Sequence, residues 1–121
     1  MKIQKVNLAG KFSAFSEYWT PKIVGELNGQ HVKLAKFKDE FVMHHHEEED
    51  EMFLVVKGHM QMELEDETID VFPGEFIVIP KGVRHKPKAI GEAHVLLFEP
   101  ASTLNTGDVE NEKTQRNLDS I

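Results

Sequence analysis

The chain has no cysteine, which excludes a disulfide framework, a thiolate zinc site and a cysteine nucleophile together. It is also short of basic charge: Lys and Arg number 14 against 21 Asp and Glu, for a net charge of -7. A protein that grips a phosphate backbone needs a basic face, so nucleic acid is not an expected partner. The same negative surplus favours solubility. No apolar window approaches the ~20 residues of a membrane-crossing helix, and Met1-Lys2-Ile3-Gln4-Lys5 lacks the apolar stretch of a signal peptide. The expected compartment is therefore the cytoplasm, with no membrane partner. A phosphate-binding loop is missing as well.

What remains is an ordinary globular composition. At 121 residues, 40% hydrophobic and 29% charged, the chain is expected to form a single domain over residues 1–121 with one core. Residues 1–20 carry Phe12, Phe15, Tyr18 and Trp19 at loose spacing, and Pro21 stops any helix. Residues 1–21 read as an irregular lead-in with at most one short strand, whose aromatics pack on the main body or on a partner subunit.

A hairpin follows. Lys22 to Leu27 and His31 to Phe37 flank Asn28-Gly29, a turn pair because both residues tolerate positive φ. Beyond it, short apolar runs at 41–46, 51–56, 60–64, 68–72, 76–79, 83–86 and 93–98 alternate with breaks. The breaks are Lys57-Gly58, Glu65-Asp66-Glu67, Pro73-Gly74, Pro80-Lys81-Gly82 and Ile90-Gly91. Short strands at this spacing point to an all-β sandwich or barrel, and no stretch of helical period competes. The runs 52–56 and 76–79 are apolar on both faces. They need cover on both sides, which a closed barrel packed on a second copy provides, so a homodimer is expected. The barrel core spans about residues 22–100; residues 101–121 are polar, either a frayed tail or an ordered strap with only Leu104, Val109, Leu118 and Ile121 to anchor it.

The chemistry lies in His44-x-His46-x4-Glu51, followed by His85. In a strand, alternate side chains share a face, so His44 and His46 point one way and His45 the other. Their Cα atoms lie about 6.6 Å apart at ~3.3 Å rise per residue, near enough for two imidazoles to converge on one ion. Glu47 to Asp50 is too acidic for a buried strand and reads as a solvated turn, from which Glu51 opens the run Met52-Phe53-Leu54-Val55-Val56. Three imidazoles and a carboxylate on His44, His46, His85 and Glu51 are a donor set for one divalent transition metal: Mn, Fe, Ni, Cu or Zn. Gly58, Gly74 and Gly82 sit at turns, and the last sets the register that aims His85 at the other histidines. Phe53, Val55, Met60 and Met62 are expected to line the barrel interior. His31 has no ligand role, His94 reads as a packed histidine, and His45 and His59 as exposed. Lys81 and Arg84 read as surface charges beside the mouth ahead of any role in meeting an anionic substrate.

The segment His44-x-His46-x4-Glu51-x6-Gly58 resembles the first cupin motif, and Gly74-x5-Pro80-x-Gly82-x2-His85 resembles the second. The resemblance implies a cupin double-stranded β-helix, a jelly-roll barrel with the metal inside one mouth. Lys38 stands where the first motif usually opens with glycine, and Ala89 where the second usually ends with asparagine; neither position is a ligand. The stretch from Trp19 to Asn28, with Glu99-Pro100 and Thr103 to Asp108, is similar to small bacterial single-domain cupins of the mannose-6-phosphate isomerase-like group. A metal so held polarises a carbonyl, activates water or, if redox-active, binds O2. The readings that follow are metal-assisted isomerisation of a small sugar-type or carbonyl compound, O2-dependent dioxygenation, and small-molecule binding or sensing without turnover. The residues themselves name no catalytic acid or base beyond the ligand set.

Overall fold

The structure, a computed structural model, describes residues 2–121; Met1, the first residue of the expected lead-in, lies outside them. Its elements are a one-turn helix α1 (Leu8–Phe12) and seven strands: β1 (Lys22–Leu27), β2 (Gln30–Glu40), β3 (Glu51–Lys57), β4 (Met60–Glu63), β5 (Thr68–Val71), β6 (Phe76–Ile79) and β7 (Lys86–Pro100). No helix among the described residues is long and apolar enough to cross a membrane.

All strand pairings are antiparallel, in the order β1-β2-β7-β3-β6, with β4 pairing both β5 and β7. The fold closes because β7 serves two neighbourhoods. Its first residues, Lys86 to Ala89, pair with β4, and its later residues, His94 to Phe98, run between β2 and β3. The expected break at Ile90-Gly91 is therefore corrected: the strand continues through it. Lys38 pairs with Glu92 but Asp39 with Ala89, so Ile90 and Gly91 form a bulge that bends the strand without ending it.

The β1–β2 hairpin is as expected. Leu27 faces Gln30 across Asn28 (φ 50°) and Gly29 (φ 76°), the backbone of a two-residue turn whose twist matches the strands. Two other expectations are corrected. Residues 41–46 and 83–85 form no strand, the second run reaching one only at Lys86, where β7 begins; the two stretches are joined by a single antiparallel bridge, His44 to His85. The lead-in is not wholly irregular either. The Asn7 side chain caps α1, its Oδ1 accepting the Gly10 N–H at 2.8 Å. An asparagine before Leu8 was the sequence signal for that turn.

The interior holds Phe37, Phe53, Val55, Met60, Met62, Val71, Ile79, Val95 and Leu97, including the four residues expected there. Each such side chain contributes about 1.5–3 kcal/mol on burial. Trp19 covers this core, stacked on Phe37 at 4.3 Å and Phe41 at 4.7 Å, with its Nε1–H donating to the Lys38 carbonyl at 2.9 Å. Phe12 and Phe15 pack on Leu34, Leu96 and Val56 on the outer sheet face. The lead-in aromatics thus pack on the barrel, except Tyr18, which stays partly exposed and donates to Glu92 at 2.6 Å. Phe76 (59% exposed) and Val78 (52%) on edge strand β6 have no cover within the chain.

Residues 101–121 form an ordered strap. Ile23 and the tail exchange backbone hydrogen bonds, Ile23 N to Asp119 O at 2.9 Å and Ile121 N to Ile23 O at 3.0 Å. Leu104, Val109, Leu118 and Ile121 are only half-buried, whereas Thr103 and Thr106 are fully buried. The strap is held mainly by polar contacts: Thr106 Oγ1 meets Thr114 Oγ1 at 2.8 Å, and Asn105 bonds the backbone of Lys113 and Gln115.

Candidate metal centre

The His44–His85 bridge builds the site. His44 N–H donates to the His85 carbonyl at 3.0 Å and His85 N–H returns the bond at 2.8 Å, so the two side chains start from directly opposed positions. The turn at Gly82 is tied to the first motif by its own N–H, which donates to the His46 carbonyl at 2.7 Å. Glu51 enters as the first residue of β3, paired with Ile79 at the end of β6. Three short segments thus converge on one point.

His44, His46, Glu51 and His85 are all buried, and their candidate ligand atoms lie within 4.8 Å of one another. His44 Nδ1 lies 2.8 Å from the Val42 carbonyl and His85 Nδ1 lies 3.0 Å from the Val83 carbonyl. A carbonyl only accepts, so Nδ1 carries the proton in both rings and Nε2 keeps its lone pair for the cluster. Such backbone bonds are the usual means of orienting a metal-ligating histidine. His85 Nε2 and His46 Nε2 each lie 3.2 Å from Glu51 Oε1, but the His46 contact is too misaligned for a hydrogen bond and leaves a buried Nε2 without a partner. A buried orphan nitrogen among two imidazoles and a carboxylate fits a divalent ion, which would satisfy every donor at once.

Burial pushes the Glu51 carboxyl up, but the imidazoles of His46 and His85, each 3.2 Å away, and a contact with Glu99 outweigh it and hold the group well below the usual carboxylate range. Glu51 is therefore anionic and ready to ligate. His44 is pushed from 6.5 to about 4, first by burial and then by the charge of His85, against the pull of the Val42 carbonyl. Its imidazole is neutral at physiological pH, as a ligand must be.

The depressed His44 value has a linkage consequence. The folded state binds fewer protons there than the unfolded state, so the stability attached to His44 is complete above 6.5 and is lost as pH falls toward 4. We expect metal-free protein to lose up to about 3 kcal/mol by this route. Glu99 works in the opposite sense, since its raised value makes the fold favour the proton as pH falls. Urea unfolding of wild type and His44→Gln at about pH 7 and about pH 4.5 separates the two. Equal pH slopes in both proteins would show that His44 is not the source.

The other histidines lie apart. His45 points away from the cluster as expected but is half-buried rather than exposed, held by Glu47 at 2.7 Å and Asp108 at 3.3 Å. His59 is likewise half-buried, bonded to Asp70 at 2.7 Å and stacked on Phe72. In both cases a neighbouring carboxylate draws the ring onto the surface. His94 stacks on Phe12 at 4.7 Å and bonds Glu92, the packed role expected of it. His31 lies 3.7 Å from Glu26. Arg84 is occupied by Glu65 and Asp108, and Lys81 is exposed.

Two charged residues in the barrel escaped the sequence reading. Lys33 and Glu99, each 2% exposed in its side chain, form an ion pair at 3.0 Å beside Glu51. Burial and the charge of Glu51 raise the Glu99 carboxyl well above its ordinary value, against the pull of Lys33. The signal was strand alternation: Lys33 shares a face with Ala35 and Phe37, and Glu99 with Val95 and Leu97, all buried. The strap also touches the site closely. A Cβ on Gly107 would lie 2.1 Å from the His45 carbonyl oxygen and 3.0 Å from His44 Cδ2, so only glycine lets the strap cross there.

The profile of the cupin domain family matches residues 30–99. The fold is similar to that of a cupin-2 domain containing protein from Shewanella frigidimarina, with a TM-score of 0.78 and 42% identity over 78% of this chain and 93% of that one. It is also similar to KdgF from Halomonas sp., with a TM-score of 0.58 and 30% identity over 66% of this chain and 78% of that one. An uncharacterized Bacillus subtilis protein, YdbB, is 34% identical over 67 residues, which span 54% of this chain and 59% of that relative's length.

Proposed function

This chain belongs to the cupin domain family, and on that premise we propose that it holds one divalent transition metal on His44, His46, Glu51 and His85 and uses it to bind and act on a small polar molecule. The observation that carries this reading is the convergence of four buried donor groups within 4.8 Å, with an orphan His46 Nε2 among them. The bound ion would supply Lewis acidity toward a carbonyl oxygen and leave one or two positions open for it. The chain's own part is to orient the imidazoles through the Val42 and Val83 carbonyls, to keep Glu51 ionised, and to exclude bulk water with Trp19, Phe37 and Phe53.

Among activities, metal-assisted isomerisation of a sugar-type or carbonyl compound suits this arrangement, in keeping with the mannose-6-phosphate isomerase-like grouping. Dioxygenation requires a redox-active ion, and binding without turnover requires only the ligand set. We place the protein in the cytoplasm as one domain over residues 1–121, with barrel, lead-in and strap together. A homodimer covering Phe76 and Val78 is part of this reading.

Elemental analysis of untagged, chelator-free protein tests it. We expect near-stoichiometric Mn, Fe, Ni, Cu or Zn in wild type and loss of most of it in His46→Ala, since removing one of four donors leaves an incomplete site. Fe or Cu with oxygen uptake on substrate would favour the dioxygenase. Wild type that takes up no metal even on reconstitution would end the metal reading.

A further inference from the structure

A stretch that carries ligands but forms no strand has to place its backbone hydrogen bonds elsewhere. His44 exchanges both of its own with His85, and the His46 carbonyl takes the Gly82 N–H. Those partners all come from the second motif. His45, between the two ligands, turns to the other side and gives both of its backbone groups to one residue of the strap. Its N–H donates to Asp108 Oδ1 at 2.9 Å, and its carbonyl accepts the Asp108 N–H at 3.1 Å. Asp108 thus does for His45 what a neighbouring strand does for a residue in a sheet.

The other carboxylate oxygen reaches further. Asp108 Oδ2 lies 3.3 Å from His45 Nδ1 and 3.6 Å from Arg84 Nη1. His45 stands between His44 and His46, and Arg84 immediately precedes His85. One carboxylate therefore meets the chain neighbour of every histidine in the cluster. Gly107 brings the strap this close: at φ 56° its backbone lies against His44 and the His45 carbonyl, with no room for a side chain. Leu104, Gly107 and Asp108 also form one wall of a cleft of about 280 Å³ that reaches His46.

Metal ligands tolerate displacements of only about 0.5 Å, and a rotation of the His45 backbone would swing the two histidines attached to it. We propose that Asp108 is a positioning residue of the metal centre: by clasping His45 and Arg84 it holds His44 and His46 in place opposite His85 and makes the C-terminal strap part of the site. An ion there is kept by the strap as well as by its four ligands. This inference rests on the metal-binding reading above and assigns the strap a part in it.

Co2+ serves as the probe, because its visible spectrum reports both binding and the arrangement of its ligands. Metal-free wild type, Asp108→Ala, Asp108→Asn and Asp119→Ala are each titrated with it, with urea unfolding of the same metal-free proteins measured alongside. In Asp108→Ala we expect Co2+ affinity to fall ~10–100-fold, the range typical of a group that orients a ligand. The spectrum of the saturated variant should change, and excess EDTA should strip its ion faster, since the cleft at His46 has lost its wall. Asp108→Asn keeps Oδ1 for the His45 N–H and should restore the wild-type spectrum, with affinity within ~5-fold of wild type. Asp119→Ala loosens the other end of the strap, where that carboxylate lies 3.4 Å from Lys22 Nζ; Co2+ affinity should stay within ~2-fold of wild type. A merely structural role would lower urea stability and leave the Co2+ spectrum alone. Unchanged affinity and spectrum in Asp108→Ala overturn the proposal, and so does an equal loss of affinity in Asp119→Ala. If Asp108→Ala does not fold, Asp108→Ser, whose hydroxyl stops short of the His45 N–H, replaces it with the same expected loss. Wild type that binds no Co2+ is seen before any variant is compared; it sinks the metal reading, and this inference with it.

Discussion

Gly58→Ala is expected to destabilise the fold by about 3–5 kcal/mol, a large share of a typical domain's stability. Two costs coincide there. The backbone sits at φ +88°, and a Cβ would lie 2.3 Å from the Glu92 carbonyl oxygen and 2.9 Å from Ala93 Cα. Both atoms belong to the backbone of β7 just past its bulge, so no side-chain rotation relieves the clash. The β3–β4 turn has to press this closely because β3 pairs with the later part of β7 and β4 with its beginning. Gly74→Ala is the control: φ is +84° but nothing lies within 4 Å of the added Cβ. It carries the conformational cost alone, about 1–2 kcal/mol. Urea unfolding of the two variants side by side measures the difference, and equal losses would show that the approach of β7 contributes nothing.

Lys33→Met alone should be nearly as damaging, about 3–5 kcal/mol, because it strands the buried Glu99 carboxylate beside Glu51. Glu99→Gln alone strands the Lys33 ammonium in the same apolar surroundings. The double variant Lys33→Met/Glu99→Gln should recover most of the loss, ending within about 1–2 kcal/mol of wild type, since neither charge is then left uncompensated. The pair is thus expected to show strong coupling in a double-mutant cycle, unlike exposed pairs such as Arg116–Glu110, at 2.8 Å but with both side chains more than half exposed. Additive losses would mean that the two residues act independently and that the 3.0 Å contact is incidental to stability.

These two sites were unequally visible in the chain. Gly58 stood out beside Lys57 as a turn between apolar runs, which placed it at a strand connection but gave no hint that β7 passes behind it. That approach depends on a strand beginning 28 residues later in the chain. Lys33 and Glu99 were overlooked because a charged residue in a polar-looking strand is ordinarily solvated. Only knowing which strand face is inward turns strand alternation into burial. The helical turn of the lead-in was missed, and the tail left open between fraying and order, for a related reason. A single helical turn is too short to show a period, and a strap anchored by Thr103, Thr106 and Asn105 has no apolar pattern to find.

The sequence by itself determined the all-β character, the hairpin at Asn28-Gly29, most strand positions and the gathering of His44, His46, Glu51 and His85. These follow from local chemistry: alternation, turn residues and ligand-type side chains at strand-compatible spacing. Tertiary structure alone decided that His44 and His85 face each other across one bridge, that β7 bends through Gly91 without ending, and that Lys33 and Glu99 share a cavity with Glu51. Each of these joins residues far apart in the chain, and the hydrogen bonds and steric limits that select them exist only once the strands are paired.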